Sequence, residues 1–111
     1  MSFHVVLQPR AEYDLDAILT HLKKESLQGA ASWFRAWRHA VSLLERQADI
    51  YGSAPEDADH EPFIQQTLFK TRSGRYYRAI YTLIDQTVYV LHVRGHGQDL
   101  VEPDELTLPH G

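Results

Sequence analysis

Three basic side chains in the last third of the chain, Arg78, Arg94 and His96, have the types needed for chemistry on a phosphodiester. Cleavage of RNA by its own 2′-hydroxyl requires a general base, a general acid and a cation for the developing negative charge. Histidine exchanges protons near neutral pH, and the planar guanidinium of arginine suits a phosphate. This set predicts a metal-independent cleavage that leaves a 2′,3′-cyclic phosphate. The alternative reading of Arg78 is an exposed cross-strand residue.

Further basic and aromatic residues surround Arg78. The stretch from residue 70 to residue 99 contains five of the eleven Lys and Arg residues, whereas the whole chain has a net charge of −4. We expect Lys70, Arg72 and Arg75 to form a concave basic surface with Arg78, and Tyr77 to offer a platform for stacking. Isolated cations are more often solvated, and tyrosine is also favoured in strands for packing. The surface indicates an anionic partner, either nucleic acid or an acidic protein segment.

No metal or cofactor is expected. His92, His96 and Asp99 would be the ligands of a zinc site, but their spacing is not that of a helical pair and no fourth ligand is evident. His92 should alternate with Leu91 and Val93 along a strand, which favours a structural role. The chain also contains no P-loop, dinucleotide fingerprint or nucleophile elbow.

The composition indicates one globular domain. The chain has 111 residues, of which 43% are hydrophobic and 23% charged, and it contains no cysteine. No apolar run approaches the roughly 18 residues that a membrane span requires. The N-terminal residues also lack the pattern of a secretory signal, so we expect a cytoplasmic protein without a membrane partner.

The first half of the chain predicts a strand followed by two helices. Phe3 to Leu7 is a β-branched and aromatic run, and Pro9 suits the first turn of a helix. An apolar stripe marks this helix, which should fade between Lys24 and Gly29, and about five residues should join it to a second helix. The first stripe is Ala11, Leu15, Ile18, Leu19 and Leu22; the second is Ala30, Phe34, Trp37, Val41, Leu44 and Ala48, widened by Trp33 and Ala40.

The second half predicts three strands, after an acidic loop over residues 51–62. The strands are Ile64 to Thr71, Tyr76 to Ile84 and Thr87 to Val93, with a turn at Ser73-Gly74 and a tight hairpin at Asp85-Gln86. We therefore expect a two-layer α+β fold of order β-α-α-β-β-β. A helical hairpin should pack on one face of a mainly antiparallel sheet, and the basic residues should lie on the other face.

Three segments together resemble the RelE/ParE superfamily of toxins from bacterial type II toxin–antitoxin, or plasmid stabilisation, modules. The first is the opening strand and the helix start QPRAEYDLDAIL, the second is SGRYYRAIYTLID, and the third is VYVLHVRGHGQDL. The matching positions are Ala11, Asp14, Leu15 and Ile18, then Gly74, Tyr77, Arg78 and Tyr81, then Val90, Leu91, Val93, Arg94, His96 and Gly97. The resemblance implies a toxin domain over residues 1–100, followed by an acidic tail over residues 101–111.

The resemblance implies one of two activities. One branch of the superfamily cleaves mRNA at the ribosome; Arg78 would stabilise the phosphate, Lys70 or Arg72 would supply the upstream cation, and His96 lies near the later catalytic position. That branch has an aromatic residue near its C-terminus, which residues 101–111 lack. The other branch poisons DNA gyrase without a hydrolytic site, and the apolar helical hairpin favours it here.

The resemblance also implies a protein partner in both branches. A cognate antitoxin is expected to wrap the sheet and the helices with its C-terminal segment and to mask the basic surface. A physical reason exists in this sequence, because a basic sheet face can accept an acidic amphipathic segment that folds on binding. A third possibility is an attenuated protein that binds its antitoxin and has no toxicity.

Overall fold

The computed structural model describes residues 2–52, 54, 64–72 and 74–95. These residues form a two-layer α+β fold, and the predicted order β-α-α-β-β-β is confirmed. The elements are β1 (His4–Leu7), α1 (Pro9–Glu25), α2 (Leu27–Gln47), a short 3-10 turn (Ala48–Ile50), β2 (Ile64–Phe69), β3 (Tyr77–Ile84) and β4 (Thr87–Gly95).

The four strands form one mixed sheet in the order β1-β4-β3-β2. The strands β2, β3 and β4 are antiparallel neighbours, as their short connections require, and β1 pairs in parallel with β4. The predicted hairpin between β3 and β4 is confirmed, and its first turn residue, Asp85, has a φ of 56°. Aspartate tolerates this left-handed conformation better than most residues because its side chain can bond to nearby backbone groups.

The two helices form an antiparallel hairpin with a single residue, Ser26, between them. The predicted link of about five residues is therefore wrong. Ser26 ends α1 by donating its N–H to Leu22 O (2.9 Å) and begins α2 by accepting from Gly29 N on its Oγ (3.0 Å). One serine satisfies groups at both helix ends, which is why no longer loop is needed. Neither helix is long and apolar enough to cross a membrane.

The helix α2 supplies most of the helical side of the core. The predicted stripe is correct except at Phe34, which is 40% exposed, while Trp33 is 3% exposed. Successive residues are about 100° apart around a helix, so Phe34 cannot share the buried direction of Trp33 and Trp37. The buried residues of α2 are Ala30, Trp33, Trp37, Ala40 and Leu44.

Side chains along β3 alternate between two apolar clusters on opposite sides of the sheet. Tyr77, Ala79, Tyr81 and Leu83 pack with the cluster that includes α1 and α2. Ile80 packs on the other side of the sheet, in a smaller cluster completed by Ala54, Ile64 and Leu91. The side of the sheet away from the helices is therefore covered at its centre, and its exposed part lies toward the start of β3.

Tyr81 joins the sheet to the end of α2 through a buried hydrogen bond. Its hydroxyl donates to Ala48 O at 2.6 Å, and Gln65 Nε2 donates to the same carbonyl at 3.3 Å. Burial raises the pKa of Tyr81 well above its ordinary value, and the nearby phenol of Tyr51 and carboxylate of Asp49 raise it further. The hydroxyl therefore stays protonated and available as a donor.

We expect Tyr81→Phe to lower the free energy of unfolding by about 1 kcal/mol, because one buried hydrogen bond is lost while Gln65 still satisfies the carbonyl. Urea denaturation measures the change. The matched control is Tyr13→Phe, which removes a hydroxyl from a side chain that is 61% exposed and should leave stability unchanged. Equal effects of the two substitutions would show that the Tyr81 hydrogen bond contributes nothing.

Candidate functional site

Two arginines lie directly opposite each other on neighbouring strands. Arg78 of β3 pairs in register with Arg94 of β4 on one side and with Leu68 of β2 on the other. Arg78 Nη1 donates to Gln66 Oε1 at 3.0 Å, which holds the guanidinium against β2. We call the surface formed by Gln66, Leu68, Arg78 and Arg94 the arginine face.

The arginine face is suited to an anion. Like charges opposite each other destabilise a sheet, and both guanidinium groups are half-buried. A phosphate or carboxylate can accept bidentate hydrogen bonds from a guanidinium group. The exposed side chain of Leu68 (53%) adds an apolar contact beside Arg78. The arrangement can therefore bind either a phosphodiester or an acidic peptide segment.

His92 is the histidine of the described strands that lies nearest these arginines, in register with Ile80. Its side chain is 1% exposed, and its Nδ1 atom lies 3.4 Å from Asp14 Oδ2. This confirms the expectation of a structural histidine. A buried ring held against a carboxylate cannot reach a substrate on the arginine face.

Asp14 connects α1 to the far end of β4. Its Oδ2 atom accepts a hydrogen bond from the backbone N–H of Val93 at 3.0 Å, and its Oδ1 atom accepts one from Arg10 Nε at 3.1 Å. Burial alone would raise the pKa of Asp14. The contacts with His92 and the Val93 amide, together with the charge of Arg10, outweigh burial and hold this pKa below its ordinary value of 3.8.

A β-bulge shifts the last part of β4 by one residue. Tyr81 pairs with Val90 and Ile80 pairs with His92, so Leu91 is the extra residue. Without it, Val93 and Arg94 would exchange faces. The bulge therefore lets Val93 pack with the helices beside Ala79 while Arg94 lies opposite Arg78.

The other predicted cations lie apart from Arg78. Lys70 and Arg72 line a groove of about 700 Å³ between α2 and the turn that connects β2 to β3, and Arg75 lines the neighbouring cavity of about 630 Å³. Arg78 lines neither of them. The structure therefore does not bring these three residues and Arg78 into one concave surface.

The shape of the β2–β3 turn explains this placement. Gly74 N donates to Thr71 O at 3.2 Å, which folds the turn back toward the helices. A Cβ atom at Gly74 would collide with the Thr71 hydroxyl oxygen, so a residue without a side chain is favoured there. The turn carries Lys70, Arg72 and Arg75 toward the start of α2.

Tyr77 packs in an aromatic cluster between the sheet and α2. Its ring lies 5.2 Å from that of Trp33 in an edge-on arrangement and 5.9 Å from that of Phe69, and Trp37 completes the cluster. Burial, reinforced by the charge of Glu25, raises the pKa of Tyr77. Tyr77 also lines the 630 Å³ cavity, so one edge of the ring remains available to a partner.

Two predicted features lie outside the described residues. These are His96, the proposed proton-transfer residue, and the acidic tail over residues 101–111. Within the described part of the chain, no three His, Cys, Asp or Glu side chains come together in a way that could hold a metal ion.

Sequence reasoning did not find the roles of Asp14 and Gln66. Asp14 was named there only as a position that matches the superfamily. The available signal was its position beside Ala11 and Leu15, on the buried side of α1, where a carboxylate needs partners. Gln66 gives no such signal, because its contact with Arg78 depends on the register of β2 and β3.

A comparison of the sequence with models of protein families finds a match. The family described as "ParE toxin of type II toxin-antitoxin system, parDE" matches residues 5–100. The chain belongs to this family, and membership in the RelE/ParE superfamily is thereby confirmed. A search of curated proteins found no match.

We expect Asp14→Ala to lower the free energy of unfolding by about 1–3 kcal/mol at neutral pH, because the buried Val93 N–H loses its acceptor. Asp14→Asn should cost less, since its amide oxygen can still accept from Val93. The measurement is urea denaturation of both variants. If both variants were as stable as the wild type, the anchoring role of Asp14 would be contradicted.

The stabilisation by the Asp14 charge should depend on pH in a defined direction. Because folding lowers this pKa, the advantage of wild type over Asp14→Asn is complete above about pH 5 and is lost as the pH falls through the folded-state pKa, below 3.8. Denaturation at several pH values measures the difference. An advantage that grows as the pH falls would refute the assignment.

Proposed function

Because the chain is a member of the ParE toxin family, we propose that it inhibits growth by binding DNA gyrase rather than by cleaving RNA. The observation that carries this proposal is the family match over residues 5–100. Membership makes the chain a toxin of a type II toxin–antitoxin module, with an antitoxin as its partner. The target and a cytoplasmic site of action are parts of the proposal.

The composition of the strands supports a mechanism by binding. The strands β2, β3 and β4 contain no aspartate or glutamate, and His92 is the single histidine within these three strands. His92 is buried against Asp14, so these three strands offer cations without an accessible histidine or carboxylate for proton transfer. Tyrosine hydroxyls, with an ordinary pKa near 10, are poor bases at neutral pH. Such a surface stabilises a bound anion, which a binding mechanism requires.

We propose that the antitoxin covers the arginine face. Arg78 and Arg94 can pair with carboxylates, and the exposed Leu68 beside them offers an apolar contact. An acidic segment with apolar residues at intervals meets both requirements. A segment that orders on binding would also explain how one face accepts an extended partner.

We expect the purified full-length chain to inhibit ATP-dependent supercoiling of relaxed plasmid by gyrase, and premixing with antitoxin to restore it. Arg78→Ala should change the inhibitory amount of toxin by less than about tenfold, because a single partly exposed charge contributes only about 1 kcal/mol to binding. Gel electrophoresis of the plasmid measures supercoiling in each of these reactions. Full supercoiling in the presence of excess toxin would refute gyrase as the target.

A second function is favoured by one observation, the register pairing of Arg78 with Arg94. Guanidinium groups from two paired strands are suited to the charge that develops on a phosphate during attack by a 2′-hydroxyl. His96 would then transfer protons and the product would be a 2′,3′-cyclic phosphate. This reading makes the chain an mRNA endoribonuclease.

If the chain is a nuclease, mapping of transcript 5′ ends soon after induction without antitoxin should give new ends within translated codons. Arg78→Ala should reduce these ends by about 10²- to 10³-fold, which is the usual cost of removing a group that stabilises transition-state charge. Growth arrest without new ends would exclude the nuclease. Absence of both growth arrest and new ends would indicate an attenuated antitoxin-binding protein.

A further inference from the structure

A groove with an excess of positive charge lies between the start of α2 and the β2–β3 turn. Its volume is about 700 Å³, and its basic residues come from both elements: Arg35 and His39 from α2, and Lys70 and Arg72 from the turn. We propose that this α2–turn groove binds the phosphodiester backbone of duplex DNA. The groove is distinct from the arginine face on the sheet.

The charge of the groove favours a polyanion. Three of its lining residues are permanent cations, and none of the described residues that line it is a carboxylate. Acidic residues are also absent from the first turn of α2. Concave surfaces lined by charge of one sign concentrate the field, so local attraction survives the net charge of −4.

The basic side chains are held in place by their own elements. Arg35 Nη2 donates to Ser32 Oγ at 3.1 Å, and His39 follows Arg35 by one helical turn on the same face. Across the groove, Lys70 Nζ lies 5.0 Å from the centre of the Tyr76 ring. Two rows of cations on opposite walls are thereby presented to one ligand.

The uncharged lining distinguishes a phosphate backbone from an acidic peptide. An amphipathic peptide needs pockets for its large apolar side chains, whereas none of the described residues that line the groove has a large aliphatic or aromatic side chain. Ser32 and Thr71 instead supply hydroxyls of the kind that contact phosphate oxygens. The neighbouring cavity, lined by Leu22, Trp33 and Tyr77, is the apolar one.

The absence of aromatic rings from the groove lining distinguishes duplex from single-stranded nucleic acid. Proteins that bind single strands stack bases on aromatic side chains, and no described residue that lines this groove is aromatic. A duplex keeps its bases stacked inside and presents phosphates alone. The inference goes beyond the proposed function, since DNA binding is measured on the isolated toxin without gyrase.

The test is a titration of a short fluorescent DNA duplex with the full-length chain at several salt concentrations. The fluorescence anisotropy of the duplex reports binding. Three phosphate contacts predict a slope of log K against log salt of about −2.7. Arg35→Gln with Arg72→Gln should make the slope shallower by about 2 and weaken binding at low salt at least about tenfold. The matched control is Arg38→Gln with Arg46→Gln, two exposed arginines of α2 outside the groove.

The control pair removes the same charge and should change affinity by less than about twofold, since the contacts are local. A single strand of the same sequence and a polyglutamate peptide serve as the other ligands. The proposal would be overturned if the two double variants lost equal affinity for the duplex. It would also be overturned if the single strand or the polyglutamate peptide bound to the groove more tightly than the duplex. Supercoiling assays on the same variants test gyrase separately, so failure of one proposal does not conceal the other.

Discussion

The carboxylate of Asp14 holds the two layers of this protein together beyond the point where β1 ends its pairing with β4. β1 accompanies β4 only as far as Val90, and the edge of β4 beyond it needs another partner for its backbone. Asp14 supplies that partner by accepting from Val93 N–H, and it faces the buried His92 ring. The position of Arg94, one residue further on, therefore depends on a side chain of α1.

Packing between the layers separates two surfaces that both suit anions. The rings of Trp33, Trp37, Phe69 and Tyr77 fill the space between α2 and the end of the sheet. The arginine face lies on the side of the sheet away from the helices, and the α2–turn groove lies at the start of α2. Two separate surfaces allow a toxin to meet two partners, one at each.

The chemistry of the arginine face follows from what surrounds it. Gln66 supports the guanidinium group of Arg78, while the histidine of the same strands is turned to Asp14. A cation without an accessible acid or base stabilises a bound anion but does not move protons. This is the physical reason for proposing that this member of the ParE toxin family acts by binding.

The sequence by itself determined the order of the elements, because the period of apolar residues is a local property that survives in any tertiary context. It also identified Arg78 and Arg94 as side chains suited to a phosphate. Only the tertiary structure decided that Ser26 alone joins the helices, that Trp33 rather than Phe34 is buried, and that Lys70 and Arg72 face α2. The roles of Asp14 and Gln66 belong to this second group, because contacts between distant segments depend on strand register and on how the layers meet, which no local pattern encodes.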